Sequence, residues 1–442
     1  MGEAFELVLK GGTVVNHDGA GTRDIGIRDG RIAALGSIAP EEAGETIDCR
    51  GLHILPGVID TQVHFREPGL EHKEDLETGS RAAVMGGVTA VFEMPNTKPL
   101  TTTADALADK VKRARHRMFC DFAFYVGATR ENIEQIPELE RLDGSAGIKV
   151  FMGSSTGDLL VEHEPSLDRI IAYISRRAAF HAEDEARLRE RLSLRRPGDA
   201  SSHPLWRDEA AALIATERLV RLAEKHGRRV HLLHVSTAAE LEYLKAHKAW
   251  VSVEVTPHHL TLVAPDCYER LGTYAQMNPP VRDSHHRQAL WAALAAGVID
   301  IVGSDHAPHT REEKDHPYPE SHSGMTGVQT LVPIMLDHVN AGRLSLERLV
   351  DLTSHGPQRL FGIRSKGRLA VGYDADLTVV DLKRQATIDN SWIASRCGWS
   401  PYHGCPVRGW PVGTIVRGRR VMWEGQLLGA ARGEPIRFLE TA

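Results

Sequence analysis

The chain has 442 residues, of which 42% are hydrophobic and 25% are charged, and these ordinary values predict one large and one smaller globular domain. Its formal net charge of −6 excludes the basic surface that nucleic-acid binding requires, so we expect no nucleic-acid partner. The sequence contains neither a signal-peptide pattern nor a run of about 18 apolar residues, which predicts a cytoplasmic protein without a membrane association.

The two ends of the chain have the same β-type pattern. Short apolar runs separated by glycine turns cover 5–9, 12–15, 24–27 and 31–35 near the start. The same pattern returns near the end, at 367–372, 375–381 and 413–423. We therefore expect residues 1–53 and 366–442 to form one composite small domain, a β-sandwich built from both termini.

Between these regions, strand-like runs alternate with helical patterns such as 74–85 and 104–117. Eight runs occur, at 53–65, 89–96, 121–127, 146–153, 178–182, 230–235, 251–256 and 299–304. This count predicts an α/β fold, a (β/α)8 TIM-type barrel over residues 54–365. The functional site of such a barrel lies at the carboxyl ends of its strands, where the loops converge.

Side chains that bind metals stand at the ends of five of these runs. Run one ends in Gln62 and His64, and the alternation of a strand points both side chains into the mouth of the barrel. Runs five, six and eight end in further donors, namely His181, His234 and Asp305. Lys149 ends run four in an apolar segment without an obvious carboxylate partner, and a buried unpaired ammonium is costly.

Each of these residues has an ordinary structural explanation when taken singly. A lone His181 or His234 is more often a hydrogen-bonded core histidine, and a lone lysine usually extends to solvent. Their shared position on one rim favours a metal centre, because chance histidines rarely share a rim. Imidazole and carboxylate ligands are typical of zinc, and a coordination position left for water makes such a centre catalytic.

Five motifs in chain order resemble those of the amidohydrolase superfamily, and within it the dihydroorotases whose barrel begins with His-x-His-x-Arg-x-Pro-Gly. They are 63–69 (VHFREPG), 93–97 (EMPNT), 147–149 (GIK), 278–282 (NPPVR) and 304–309 (SDHAPH). The resemblance runs from about Leu9 to Val421 and implies a metal-dependent hydrolase of cyclic amides. Gln62 departs from the pattern, which has histidine there.

The resemblance implies a role for each donor. The roles are N6-carboxylated bridging ligand for Lys149, metal ligand for His181 and His234, and metal ligand and catalytic base for Asp305. Carboxylation would turn the stranded ammonium of Lys149 into an anion that metal cations neutralise. The carbamate and the two histidines suffice for one zinc ion. A second ion would have His64, Asp305 and a carbamate oxygen, and its site is weak, empty or completed by the Gln62 amide oxygen.

The resemblance also implies how a substrate carboxylate is bound. The matching positions are Arg66, Asn96 and His309, and arginine offers a planar fork that suits a carboxylate. Asn278 matches the position that hydrogen-bonds the pyrimidine ring. Taken alone, Arg66 is as typical of a surface ion pair with Glu67 or Glu71, and each asparagine of a turn beside proline.

We therefore expect a dihydroorotase, which interconverts L-dihydroorotate and N-carbamoyl-L-aspartate in pyrimidine biosynthesis with zinc and no organic cofactor. Metal-activated hydroxide would attack the ring amide, and Asp305 would pass the proton to nitrogen. One alternative is another cyclic amidohydrolase, such as a dihydropyrimidinase, hydantoinase or allantoinase. The other is a catalytically silent homologue that serves as an assembly partner of aspartate transcarbamoylase. We also expect a homo-oligomer and consider aspartate transcarbamoylase as a partner.

Overall fold

A computed structural model describes residues 5–154 and 159–439 of the protein. Within these ranges the strands are β1 Phe5–Asn16, β2 Gly19–Arg28, β3 Arg31–Gly36, β4 Ala43–Asp48, β5 His53–Pro56, β6 Val58–Val63, β7 Val88–Glu93, β8 Asp121–Gly127, β9 Ser145–Phe151, β10 Ala179–His181, β11 Val230–Leu232, β12 Val251–Val255, β13 Ile301–Val302, β14 Leu377–Thr387, β15 Pro406–Val416, β16 Arg419–Trp423 and β17 Gln426–Leu427.

The α-helices in the same ranges connect and cover the strands. They are α1 Leu76–Met85, α2 Ala104–Ala114, α3 Ile136–Leu139, α4 Glu164–Tyr173, α5 Glu185–Glu190, α6 His203–Trp206, α7 Glu209–Lys225, α8 Ala238–Lys245, α9 Pro257–Thr261, α10 Asp266–Leu271, α11 Ser284–Ala295, α12 Arg311–Asp315, α13 Leu331–Asn340, α14 Leu346–Val350 and α15 Gly356–Phe361. No helix in the described part of the chain is long and apolar enough to cross a membrane.

Strands β6 to β13 form one parallel sheet in chain order, with at least one helix after each strand. The sheet curls until its first and last strands approach at their carboxyl ends. There Val63 bridges His306, and the His64 N–H donates to the His306 carbonyl oxygen at 2.7 Å. The Ser304 N–H also donates to the Asp60 carboxylate at 2.9 Å. The predicted (β/α)8 barrel is confirmed.

Helix α2 shows how an apolar face packs a helix onto the barrel. In α2, Thr103 caps the amino terminus by accepting from the Ala106 N–H, while Leu107, Val111 and Ala114 are buried at helical spacing. Asp109 and Lys112 between them are exposed, whereas Lys110 is buried and pairs with Glu93 of β7. The predicted helices at 74–85 and 104–117 correspond to α1 and α2, each ending within three residues of the prediction at its carboxyl end.

The nine remaining strands form a second, largely antiparallel sheet from both termini, as predicted. Strand β5 pairs with β1 on one side and with β14 on the other, so it joins the two ends of the chain. Ile27 of β2 and Ile415 of β15 belong to the same apolar core, so both halves of the sheet share one interior. The prediction of one barrel strand over 53–65 is wrong in part, because β5 belongs to the terminal sheet and β6 to the barrel. The chain crosses from one sheet to the other at Gly57, whose N–H donates to the Asp376 carbonyl oxygen at 2.8 Å.

Candidate active site

One pocket at the carboxyl ends of the barrel strands gathers nine of the ten predicted site residues. They are Gln62, His64, Arg66, Asn96, Lys149, His181, His234, Asn278 and Asp305. The tenth, His309, is fully buried directly behind Arg66. The gathering follows from the topology, because parallel strands that neighbour one another end at the same rim.

Three residues of the site have a left-handed backbone. The φ angle is 66° at Arg66, 38° at His234 and 49° at Asp305. Residues other than glycine seldom adopt this region, and holding one there costs about 1–3 kcal/mol. The packed barrel ends therefore hold these three residues against a local conformational preference, as is typical of functional positions.

His64 and Asp305 form the first pair of candidate metal donors, and the side-chain amide of Gln62 lies beside them. The Gln62 Nε2 donates to Asp305 Oδ1 at 3.0 Å, and His64 Nδ1 lies 2.8 Å from Asn96 Oδ1. Since an amide oxygen only accepts, His64 carries its proton on Nδ1 and leaves a lone pair on Nε2. That lone pair lies 3.4 Å from Asp305 Oδ1, so two acceptors face each other where a cation would relieve them.

His181 and His234 form the second pair. Glu183 Oε2 accepts from His181 Nε2 at 3.0 Å, so His181 Nδ1 is left unprotonated and faces His234 Nε2 at 3.1 Å. Burial opposes ionisation of Glu183, but the Arg207 guanidinium at 2.7 Å and His181 hold the pKa of that carboxyl well below its usual range. An ionised carboxylate behind a histidine is the usual way to orient a metal ligand.

Lys149 lies in the same pocket with only 1% of its surface exposed. Its Nζ has no hydrogen-bond partner in the described part of the chain, and it lies 4.3 Å from the centre of the Phe151 ring. Burial lowers the pKa of this amine to about 7. A buried ammonium without a counter-ion is unfavourable, so the side chain is suited to exist as a neutral amine or as a modified group.

These donors fit a zinc centre only if Lys149 takes part. In residues 5–154 and 159–439, no three His, Cys, Asp or Glu side chains come together as a metal-binding group. The donors instead stand as two pairs, His64 with Asp305 and His181 with His234. A carbamate on Lys149 would add the oxygen that each pair lacks, which agrees with the unpartnered state of its Nζ.

Arg66 forms the opposite corner of the pocket. It is 1% exposed, and its Nε donates to the Pro308 carbonyl oxygen at 3.1 Å. No acidic side chain of the described residues lies within ion-pair distance of the guanidinium. Burial lowers its pKa to about 10, although the more distant carboxylates of the site, Asp305 foremost, act to raise it. The alternative of a surface pair with Glu67 or Glu71 is wrong, because Glu67 pairs with Arg117 at 2.7 Å and Glu71 accepts from a backbone N–H. A buried guanidinium without a counter-ion favours an anionic ligand.

The two predicted asparagines both hydrogen-bond a histidine. Asn96 binds His64, as described above, so in this structure it orients a candidate metal ligand. Asn278 Oδ1 lies 2.9 Å from Nε2 of His203, a buried histidine that the motifs did not include. Burial lowers the pKa of His203 to about 3, so its imidazole is neutral. Both asparagines therefore have fixed orientations at the pocket wall.

Several residues that support the site were absent from the sequence prediction. Glu183 stands two positions after His181, and strand alternation is the signal that would have suggested it. Arg207, Lys73 and Glu313 carry no such signal, since each lies in a loop or helix beyond a strand end, where the alternation of a strand no longer applies. His258 and His259, by contrast, make structural hydrogen bonds: His258 Nδ1 lies 3.0 Å from the Tyr402 hydroxyl, and His259 Nε2 donates to the Pro279 carbonyl oxygen at 3.2 Å.

Comparison with known proteins agrees with this geometry. Residues 53–421 match the model of the amidohydrolase family. A dihydroorotase of Halobacterium salinarum is 38% identical over 94% of this chain and 96% of its own, and an allantoinase of Deinococcus radiodurans is 34% identical over 98% and 99%. The structure of an L-hydantoinase (dihydropyrimidinase) from Arthrobacter aurescens superposes with a TM-score of 0.93 at 33% identity, covering 98% of this chain and 99% of that one. The chain therefore belongs to the amidohydrolase family and is a cyclic amide hydrolase.

Proposed function

We propose that the protein is a dihydroorotase, which hydrolyses the ring amide of L-dihydroorotate to N-carbamoyl-L-aspartate and catalyses the reverse cyclisation. The observation that carries the proposal is the buried guanidinium of Arg66, which has no acidic partner among the described residues and faces the pocket of the metal donors. Dihydroorotate bears a carboxylate on its ring, and a guanidinium binds a carboxylate through two parallel hydrogen bonds. Such a substrate brings the missing counter-ion.

A hydantoinase or allantoinase is the second candidate, and the TM-score of 0.93 to an L-hydantoinase favours it. Hydantoins with alkyl or aryl substituents, and allantoin, carry no carboxylate on the ring. Either would displace water from Arg66 without pairing its charge, and an unpaired buried charge is unfavourable. The charge of Arg66 is therefore the reason that we rank dihydroorotate first.

Zinc is the metal that we propose, held by Lys149 as a carbamate together with His181 and His234. The neutral amine of Lys149 would add to carbon dioxide, forming one N–C bond and releasing one proton. When bound, zinc polarises the amide carbonyl and lowers the pKa of water. The His64 and Asp305 pair offers a second ion fewer donors, because Gln62 stands where the sequence pattern has histidine.

Asp305 is the proposed catalytic base. Its carboxylate takes a proton from the attacking water and delivers it to the ring nitrogen as the C–N bond breaks, so the water oxygen ends on carbon and the proton on nitrogen. Gln62 holds the carboxylate in place by donating to Oδ1 at 3.0 Å. The left-handed backbone at Asp305 and the bridge at His306 fix the position of this residue on the rim.

Substrate profiling tests the proposal. Purified protein is assayed with dihydroorotate, carbamoyl-aspartate, dihydrouracil, a 5-substituted hydantoin and allantoin, and we expect the highest kcat/KM with dihydroorotate. Arg66→Met removes the guanidinium that would bind the substrate carboxylate and should lower kcat/KM for dihydroorotate by roughly 100-fold or more. The kcat/KM for neutral dihydrouracil should be unaffected. The control Arg130→Met changes an exposed arginine outside the pocket and should have no effect. A parent that prefers hydantoin or allantoin, or an Arg66→Met variant that retains dihydroorotate turnover, contradicts the proposal.

Three further proposals concern the pathway and its compartment, the oligomeric state and a partner protein. The reaction would belong to pyrimidine biosynthesis in the cytoplasm, the chain would form a homo-oligomer, and aspartate transcarbamoylase is the partner to be tested. The domain boundaries at 53/54 and 365/366 are likewise proposals. Analytical ultracentrifugation of the chain alone and mixed with a transcarbamoylase would test the assembly.

A further inference from the structure

Lys73 is a buried lysine that contacts His309 next to Arg66, the proposed binding group for the substrate carboxylate, and the proposed reaction assigns it no role. Its side chain is 6% exposed, and its Nζ lies 2.8 Å from Glu313 Oε1 and 3.2 Å from His309 Nδ1. An ammonium group has three N–H donors and no acceptor. The contact with His309 is therefore a hydrogen bond only when Nδ1 carries a lone pair.

The other nitrogen of His309 leads to the same conclusion. Nε2 lies 3.0 Å from the carbonyl oxygen of Ser323, which can only accept, so this contact requires a proton on Nε2. Burial, together with Arg66, Lys73 and Lys314, holds the pKa of His309 well below its usual range, so the ring is neutral and carries a single N–H. One tautomer, with the proton on Nε2, makes both contacts into hydrogen bonds.

The opposite tautomer has weaker partners. With its proton on Nδ1, His309 would donate to Glu313 Oε2 at 3.5 Å, and its Nε2 would accept from the Arg66 guanidinium at 3.3 Å. Both distances exceed those of the first tautomer, and 3.5 Å is at the limit for a hydrogen bond. Glu313 attracts a proton toward Nδ1, and the Lys73 ammonium, 2.8 Å from its other oxygen, weakens that attraction.

We propose that Lys73 is a positioning residue that fixes His309 in the tautomer with the proton on Nε2, where it donates to Ser323, and so leaves the Arg66 guanidinium available to the substrate carboxylate. Arg66 and Ser323, the two neighbours of Nε2, both line the pocket. In this tautomer Nε2 of His309 has no lone pair, so Arg66 does not donate a hydrogen bond to the imidazole. The identity of the anion rests on the proposed function, whereas the tautomer does not.

A purely structural role for Lys73 is the competing explanation. Lys73 lies in the loop between β6 and α1, and Glu313 closes the capping box of α12 by accepting from the Thr310 N–H at 3.0 Å. The ion pair therefore also ties this loop to α12. A structural anchor predicts that Lys73→Met lowers stability and leaves the His309 tautomer unchanged, so the tautomer itself is the decisive readout.

Histidine nitrogen NMR of the metal-loaded protein tests the proposal, with His309 assigned by its loss in His309→Gln. In the parent we expect a protonated Nε2 and an unprotonated Nδ1. Lys73→Met should move the proton to Nδ1 and raise KM for dihydroorotate roughly 10- to 100-fold with little change in kcat, and Lys73→Arg should restore the parent pattern. The matched control His72→Gln removes an exposed neighbour that lies 3.5 Å from the same carboxylate, and it should change neither readout.

A proton on Nδ1 in the parent, or an unchanged tautomer in a folded Lys73→Met variant, overturns the proposal. The parent spectrum requires no substitution, so a variant that fails to fold does not remove the test. If Lys73→Met shifts the expected parent tautomer but the parent does not hydrolyse dihydroorotate, the proposed function fails and the role of Lys73 in setting the tautomer stands. If dihydroorotate is hydrolysed and the tautomer is the opposite one, only the role of Lys73 fails.

Discussion

Gln62 occupies the position in β6 where the sequence pattern of dihydroorotases has a histidine. Its Nε2 donates to Asp305, which leaves Oε1 buried without a hydrogen-bond partner in the described residues. A neutral amide oxygen is a weaker ligand for zinc than an imidazole nitrogen. For the zinc centre proposed above, we therefore expect one well-bound metal, at Lys149, His181 and His234, rather than two.

Gln62→His should raise the metal content from about one zinc per chain to two, because an imidazole would complete the set of His64, Asp305 and the proposed carbamate. The measurement is elemental analysis after dialysis against limiting zinc. Gln385→His serves as the control, since it makes the same change on the exposed face of β14 and should leave the content unchanged. Two equivalents in the parent would show that the Gln62 oxygen is a sufficient ligand.

Helices α9 and α13 are joined by a hydrogen bond between Thr261 Oγ1 and His338 Nε2 at 2.8 Å. Burial, with the nearby Arg343 and Arg287 cations, lowers the pKa of His338 to about 4. In the unfolded chain this histidine titrates near its ordinary value of ~6.5. Between about pH 6.5 and 4 the unfolded chain therefore binds a proton that the folded chain does not, and the contribution of His338 to stability falls as pH falls.

His338→Gln keeps a partner for Thr261 and removes the titration. Relative to the parent, the variant should lose less stability between pH 7 and pH 4, by up to about 3 kcal/mol, since one pH unit of differential titration corresponds to ~1.4 kcal/mol. Urea unfolding at several pH values measures this difference. His285→Gln, on the exposed side of α11, should follow the parent at every pH. Parallel curves for His338→Gln and the parent would refute the assignment.

Lys366 forms ion pairs with both the barrel and the terminal sheet and so connects the two parts of the molecule. Its side chain is 4% exposed, and its Nζ lies 2.6 Å from Asp121 of β8 and 2.5 Å from Asp376, which directly precedes β14. Burial alone would lower the pKa of Lys366, but the surrounding aspartates raise it, so the ammonium is charged. One buried cation thus neutralises a carboxylate from the barrel and one from the terminal sheet.

Lys366→Met should lower the free energy of unfolding by about 3–5 kcal/mol, because it removes the cation that pairs with buried Asp376 and leaves Asp121 with Arg417 alone, at 3.4 Å. Denaturant unfolding of the full chain measures this loss. As a control, Arg368→Met changes a residue two positions after Lys366 and breaks a solvent-exposed ion pair with Asp18. This change should lower the free energy of unfolding by less than ~1 kcal/mol. Equal losses in the two variants would show that burial adds nothing to the Lys366 cluster.

The eight-stranded barrel could be predicted because its order is local in the sequence. Apolar runs of strand length alternate with helical periodicity, and each run carries its polar residue at its carboxyl end. The donors at Lys149, His181 and His234 were found in this way. The crossing at Gly57 could not be found, because β5 and β6 read as one apolar run and only pairing with β14 separates them.

The sequence by itself determined the elements, the rim on which the donors stand and the family, since spacing and turn residues are properties of short segments. Only the tertiary structure decided which donors pair, that Arg66 is buried with no carboxylate of the described residues in ion-pair contact, and that Lys73 contacts His309, which is 236 residues away along the chain. Burial and hydrogen-bond partners arise when distant segments pack, and they set the charge and tautomer of each group. The proposed choice of substrate therefore rests on packing that no single motif specifies.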